Sequence, residues 1–297
     1  MPSTEQKPRR GARRRHADAA PARPFSLSDY STGASTAFIP LLARAQARAL
    51  FPELEFADPD AERIVKRLGL PADLFGTDPG WMRGIVCRAG WFDVCARRFL
   101  RAHPDGLGIS LGAGFDTRLR RIGVRAQRWV DIDLPEVIAV KRRLVRATPR
   151  YRLLGCDIAN HAWMGRVGWQ PGTPLLLTAE GVLMYLAPDA VRRLFRGIAD
   201  WFGRGGAPVA VLFDYAAQAA ALHSWLHPAL EYTSARFQWG LPAAEAIRRI
   251  DRRYRVVEDR DIARECGPAA AVAASLHELM TMGRFLHGLA HVELERA

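Results

Sequence analysis

Apolar residues recur at helical spacing through residues 35–51, STAFIPLLARAQARALF, and again from about Trp81 to Leu100. Between them, DPDAERIVKRLG offers Asp58 as a cap and Gly69 as a stop, predicting another short helix. After these helices the pattern changes to short apolar runs separated by helical stretches. LGISL precedes a helix over 115–122, RWVDID one over 135–146, RLLGCD one over 159–167 and PLLLTAEG one over 188–202, with APVAVLFDY last. Five short runs alternating with helices and punctuated by Gly, Pro and Asp predict a doubly wound, mostly parallel α/β sheet. The helices before the first run form an N-terminal cover.

Past the fifth run the periodicity loosens. HSWLHPALEYTSARFQWG reads as an inserted lid or substrate wall, YRVVED as a further strand, and the last thirty residues as either a helix or a closing hairpin. The expected organisation is a disordered basic tail over 1–25 and one domain over 26–297. Within it lie a helical cover (26–104), a cofactor-binding core (105–215), a lid (216–253) and C-terminal elements (254–297).

Composition changes this picture little. At 297 residues and 49% hydrophobic, the chain can bury a large core, and no uncharged run reaches membrane-spanning length, so a cytoplasmic protein off the membrane is expected. The net charge of +12 raises the question of nucleic acid. Much of it, however, sits in the tail, where Lys7, Arg9, Arg10, Arg13, Arg14, Arg15 and Arg23 face only Glu5 and Asp18. Three lysines beside forty arginines reflect a compositional bias more than a phosphate-binding surface, and no nucleic-acid partner is expected. Cys87, Cys95, Cys156 and Cys266 show neither CxxC nor metal-ligand spacing, so no metal and no disulfide framework is expected.

The chemistry is expected at the carboxyl ends of the strands, where open parallel sheets bind ligands. Gly112 and Gly114 follow the first run and allow close backbone approach. Asp131 and Asp133 follow the second and suit two ribose hydroxyls. Asp157 and Ile158 after the third suit an adenine ring, and Glu180 follows the fourth. Thr117 stands where a dinucleotide fingerprint wants a third small residue, Asp116 would repel a diphosphate, and no GxxxxGK[ST] occurs. An adenosine-bearing ligand without phosphate satisfies both facts, and S-adenosylmethionine is the common one.

LGAGFDTRLRRI, VDIDLPEVIAVKRRLV, GCDI and AEGVLMYL, in this order, resemble the leucine carboxyl methyltransferase family, which includes O-methyltransferases of polyketide pathways. The resemblance extends upstream through STAFIPLLARAQ and CRAGWFD and covers most of 31–213. It implies a class I, Rossmann-like methyltransferase fold, S-adenosylmethionine as cofactor, and roles by motif. Arg88 would hold the cofactor's carboxylate, Gly112 and Gly114 its methionine and ribose through the backbone, Asp133 the ribose hydroxyls, Asp157 and Ile158 the adenine, and Glu180 the amino group or a nearby water. Asp116, Thr117 and Arg118 would cap and pin the first helix. The family often has Glu at the position of Asp131, and its eukaryotic members use an N-terminal lysine that has no counterpart here between Lys7 and Lys66.

The acceptor is left open between a carboxylate, which needs no base, and a hydroxyl, which does. His161, His223, His227 and Tyr185 are possible bases. Trp225, Tyr232, Phe237 and Trp239 are candidates for an apolar wall, with Tyr185 and Arg236 as further acceptor contacts. The expected acceptor is a small natural product or short peptide, with a protein C-terminal carboxylate as the alternative. A dinucleotide oxidoreductase and a non-catalytic cofactor binder are the readings of another class.

Overall fold

Seven strands form one sheet in the order β3-β2-β1-β4-β5-β7-β6. The computed structural model describes residues 26, 31–76, 78–124, 127–218, 235–281 and 284–295. The basic segment 1–25 and residues 219–234 of the stretch read as a lid, including His223, Trp225, His227 and Tyr232, lie outside the described residues.

β1 (Leu107–Leu111), β2 (Arg128–Asp133), β3 (Tyr151–Gly155), β4 (Leu175–Ala179) and β5 (Val209–Ala216) run parallel. β6 (Tyr254–Asp261) and β7 (His287–Leu294) close the sheet: β7 lies antiparallel between β5 and β6. The ambiguous last thirty residues are therefore both a helix and a strand.

β1, β4 and β5 are buried on both faces, which is why they read as continuous apolar runs rather than alternating ones. One core lies under α1 (Phe38–Leu50), α2 (Pro59–Leu68), α3 (Pro79–Ala102) and α4 (Pro135–Leu144) and takes in Trp129, Leu176 and Leu212. The other lies under α5 (Pro188–Phe202) and takes in Val130, Leu175, Leu177 and Val211. The alternation of neighbouring strand residues between the two lists follows from the two-residue period of a strand. Ahead of β7 in the chain, α6 (Pro268–Met280) leaves Val272, Leu276, Leu279 and Met280 exposed.

Several expected helices are shorter than the apolar pattern implied. The stretch after the glycine turn is a single turn, Arg118–Arg121, because Gly112 and Gly114 take positive φ and Asp116 caps the chain locally, accepting from the amides of Thr117 (2.8 Å) and Arg118 (3.1 Å). The stretch 159–167 is a 3-10 helix, His161–Arg166, started by Asn160. Part of the expected lid is core: Trp239, Leu241, Ala244 and Ile247 are buried, and Leu241 bridges to Ala217.

Candidate active site

The chain turns back at β1: β2 and β3 lie to one side of it, β4 and β5 to the other. A cavity of about 830 Å³ opens over the carboxyl ends of these strands. It is lined by Arg88, Gly112, Gly114, Asp133, Asp157, Ile158, Glu180, Tyr185 and Arg236, so these nine of the residues singled out in the sequence converge on one place. Trp225 lies outside the described residues.

The turn after β1 is built from glycine because nothing larger fits. Gly112 has φ +63°, and a Cβ there would come within 2.4 Å of a Val182 methyl; Gly114 has φ +45° and lies 3.2 Å from Ala37 by the same measure. Asp133, the last residue of β2, fixes this turn. One carboxylate oxygen accepts from the Gly114 amide at 2.6 Å and the other from the Leu134 amide at 2.7 Å. Each oxygen keeps a lone pair for the cavity. Burial raises the Asp133 carboxyl, although both backbone amides oppose the shift.

Asp131 is a correction. It is 2% exposed and is held by Trp129 Nε1 (2.8 Å), by the Tyr151 hydroxyl and by buried Lys141, whose Nζ is 2.7 Å away. It does not line the cavity, and its partners are structural. Asp157, by contrast, lies at the cavity with one oxygen accepting from the Ala159 amide at 2.9 Å, and Ile158 beside it is buried.

At the other end the site is a lattice of buried charges. Glu180 accepts from Arg88 Nε at 3.1 Å through one oxygen and from Arg118 Nη2 through the other. Arg88, on α3, also donates from Nη1 to Asp214 at 3.0 Å. Asp214, on β5, has no exposed surface; its second oxygen accepts from the Gly181 amide at 2.6 Å, and His287 Nε2 stands 2.8 Å from the first. Burial alone would raise the Asp214 carboxyl, but Arg88 and His287 outweigh it and hold it at about 2. Arg118 further meets Asp93 and Asp116, both at 2.9 Å; Arg121 ties Asp93, Asp116 and Asp58 together; and Arg44 joins Asp58 at 3.0 Å. The cap role expected of Asp116 is thus one edge of a network that joins α1, α2 and α3 to the glycine turn. Arg118 reaches the cavity itself.

The cavity also has an apolar lining. Trp81, Ile85, Met184, Leu186, Phe237 and Leu286 contribute to it. Tyr185 stacks edge-on to Phe237 at 5.4 Å, and Gln238 binds back to Met184 and Tyr185 through main-chain oxygens. Burial pushes the Tyr185 phenol up, which disfavours its anionic form. His161 packs against Gly197 away from the cavity, and Trp239 is core rather than wall. Asp214 and His287 were not among the sequence candidates. Asp214 ends an apolar run of the kind that had already marked Glu180, but nothing local signals His287.

This arrangement fits S-adenosylmethionine on its own terms. A cradle closed by absent Cβ atoms admits a nucleoside, Asp133 offers ribose acceptors, and carboxylates stand where a diphosphate would be repelled. Sheet order, glycine turn and strand-end acids define a class I S-adenosylmethionine-dependent methyltransferase. The chain belongs to the leucine carboxyl methyltransferase family, whose model matches residues 35–199.

Over 205 residues it is 31% identical to the tetracenomycin polyketide synthesis O-methyltransferase TcmP of Streptomyces glaucescens, spanning 68% of this chain and 74% of that protein. Over 198 residues it is 30% identical to the S-adenosyl-L-methionine-dependent methyltransferase dpfgK of Gibberella zeae, spanning 62% and 66%. The fold is shared with a DUF574 family protein of Streptomyces avermitilis (TM-score 0.54, 13% identity, 85% of this chain and 96% of that one). A Thermobifida fusca protein described as a methyltransferase gives a TM-score of 0.51 at 19% identity, covering 86% and 94%. The dinucleotide oxidoreductase reading falls with these findings. No helix among the described residues is long and apolar enough to cross a membrane.

Proposed function

We propose that the protein transfers the methyl group of S-adenosylmethionine to an oxygen, a carboxylate or hydroxyl, of a small and largely apolar natural product or short peptide. The observation that carries this reading is one cavity that combines glycine, carboxylate and guanidinium groups with apolar and aromatic side chains. The similarity to TcmP, a polyketide O-methyltransferase by name, supports oxygen as the acceptor atom.

Bound there, the cofactor supplies an electrophilic methyl on a sulfonium. The chain's own residues do the rest. Asp133 would hold the ribose, Asp157 and Ile158 would flank the adenine, and Arg88 would meet the carboxylate through the guanidinium edge facing Gly181. Tyr185, Phe237 and Leu286 would orient the acceptor and exclude water, leaving its oxygen in line with the methyl–sulfur bond.

The test is calorimetric titration with S-adenosylmethionine and S-adenosylhomocysteine, followed by labelled-methyl transfer to matched acceptors. Binding of both with transfer to oxygen is expected. Binding with transfer only to nitrogen, sulfur or carbon would overturn the oxygen assignment.

A further inference from the structure

Asp214 of β5 and Arg88 of α3 are bonded to each other, but only Arg88 lines the cavity. Asp214 is completely buried in a strand, VAVLFDYA, whose eight positions are all buried. Its Oδ1 accepts from the Gly181 amide at 2.6 Å; its Oδ2 accepts from Arg88 Nη1 at 3.0 Å and lies 2.8 Å from His287 Nε2. These partners come from the turn after β4, from α3 and from β7, so the carboxylate is held from three directions. Burial opposes its charge, but Arg88 and His287 outweigh that and hold the carboxyl at about 2.

Arg88 is gripped along two of its three nitrogens. Nε donates to Glu180 at 3.1 Å and Nη1 to Asp214; among the described residues no group bonds to Nη2. That nitrogen lies against Gly181, where a Cβ would come within 2.8 Å of it, and Gly181 lines the cavity as well. One glycine therefore gives its amide to Asp214 and leaves the space that Nη2 occupies.

Glu180 alone does not fix the guanidinium, because it divides its oxygens between Arg88 and Arg118. An arginine is a long, flexible side chain, and a site that must order it at the moment of binding loses affinity by doing so. A second bond, at Nη1, from a group with no freedom of its own sets the guanidinium plane beforehand. Stability is a poor reason for such a pair, since an apolar residue in an apolar strand costs less desolvation than a buried carboxylate.

Resting on the methyl-transfer reading, we propose that Asp214 is a positioning residue for specificity: acting through Arg88 and without touching the ligand, it presets Nη2 toward the cavity, so that the site prefers an adenosine thioether or sulfonium bearing an amino-acid carboxylate to one lacking it.

Two measurements on the full chain test this. Nitrogen NMR of the wild-type arginine side chains, with Arg88 identified by its loss in Arg88→Lys, should show separate Nη1 and Nη2 resonances before any ligand is added. S-adenosylhomocysteine should then move Nη2, and 5′-methylthioadenosine, which has no carboxylate, should not. Resonances averaged in the free chain and resolved only by S-adenosylhomocysteine overturn the proposal, because the ligand would then do the ordering; so does an Nη2 that both ligands move equally. The second measurement is a double-variant cycle read by titration calorimetry. Wild type should bind S-adenosylhomocysteine more tightly than 5′-methylthioadenosine. Asp214→Asn should weaken the first about tenfold and the second by less than about threefold. In an Arg88→Gln background the same change should leave the ratio of the two affinities where it was. Wild-type affinities that are equal, an equal loss for both ligands in Asp214→Asn, no loss for either, or a loss repeated in full without Arg88 each overturns it. Should Asp214→Asn fail to fold, the wild-type spectra decide. Absence of S-adenosylhomocysteine binding in wild type instead refutes the methyl-transfer reading on which the proposal rests.

Discussion

The carboxylate of Asp133 accepts a hydrogen bond from the backbone amide of Gly114 at 2.6 Å, so the residue assigned to the ribose also fixes the turn that would cradle it. Asp133→Ala should therefore act twice. Losing charge-assisted acceptors should weaken S-adenosylmethionine at least tenfold, about 1.5 to 3 kcal/mol. Freeing the Gly114 amide should also lower the unfolding midpoint. Titration calorimetry and thermal unfolding read the two separately, and affinity within about twofold of wild type would sink the ribose assignment.

Gly112 allows a sharper test of the cradle. With φ +63°, alanine costs about 1 to 2 kcal/mol in backbone strain, and its Cβ would overlap Val182, which itself lines the cavity. Gly112→Ala should lose measurable cofactor binding and stability together. Adding Val182→Ala removes the overlap but not the strain, so the double variant should recover part of the stability and not all of it. Full recovery would mean that the left-handed backbone matters little there.

The strand-end glycines and acids were legible in the sequence because each is a short-range punctuation mark, a residue that stops an apolar run. Asp131 shows the limit of that reading. It shares a face with Asp133, but lies two residues, roughly 6.6 Å, further from the strand end, and that depth places it on Lys141 and Tyr151 instead of the cavity. The Arg118 network was illegible for another reason. Its partners come from Asp58, Asp93 and Glu180, residues dispersed over more than a hundred positions, and no local pattern distinguishes a buried arginine from an exposed one. His287 combines both difficulties: it belongs to a strand whose very type was ambiguous.

That network carries its own prediction. Arg118 is 2% exposed and faces Asp93, Asp116 and Glu180. Arg118→Met keeps the stem but leaves buried carboxylates short of a partner, which should destabilise by about 3 to 5 kcal/mol. Chemical denaturation would measure it. A loss below about 1 kcal/mol would show that water or rearranged arginines replace the guanidinium.

The last prediction concerns acid. Burial pushes Asp58, Asp116 and Asp214 upward, yet the guanidinium groups of Arg121, Arg44, Arg118 and Arg88 more than reverse it, and all three are held below the ordinary carboxylate range. A depressed folded value means that the unfolded chain takes up protons first as pH falls. The stability these groups supply is whole above the unfolded value, near pH 4, and is lost as pH falls through the folded values. Asp214, held at about 2, contributes roughly 2 kcal/mol in this way. Denaturation at a series of pH values should therefore show a steep loss of stability below pH 4. In Asp214→Asn the loss should be shallower between pH 4 and 2, from a starting point already lowered because Arg88 has lost a charged partner. An unchanged slope would place the acid sensitivity elsewhere in the network and leave Asp214 without the electrostatic role its partners imply.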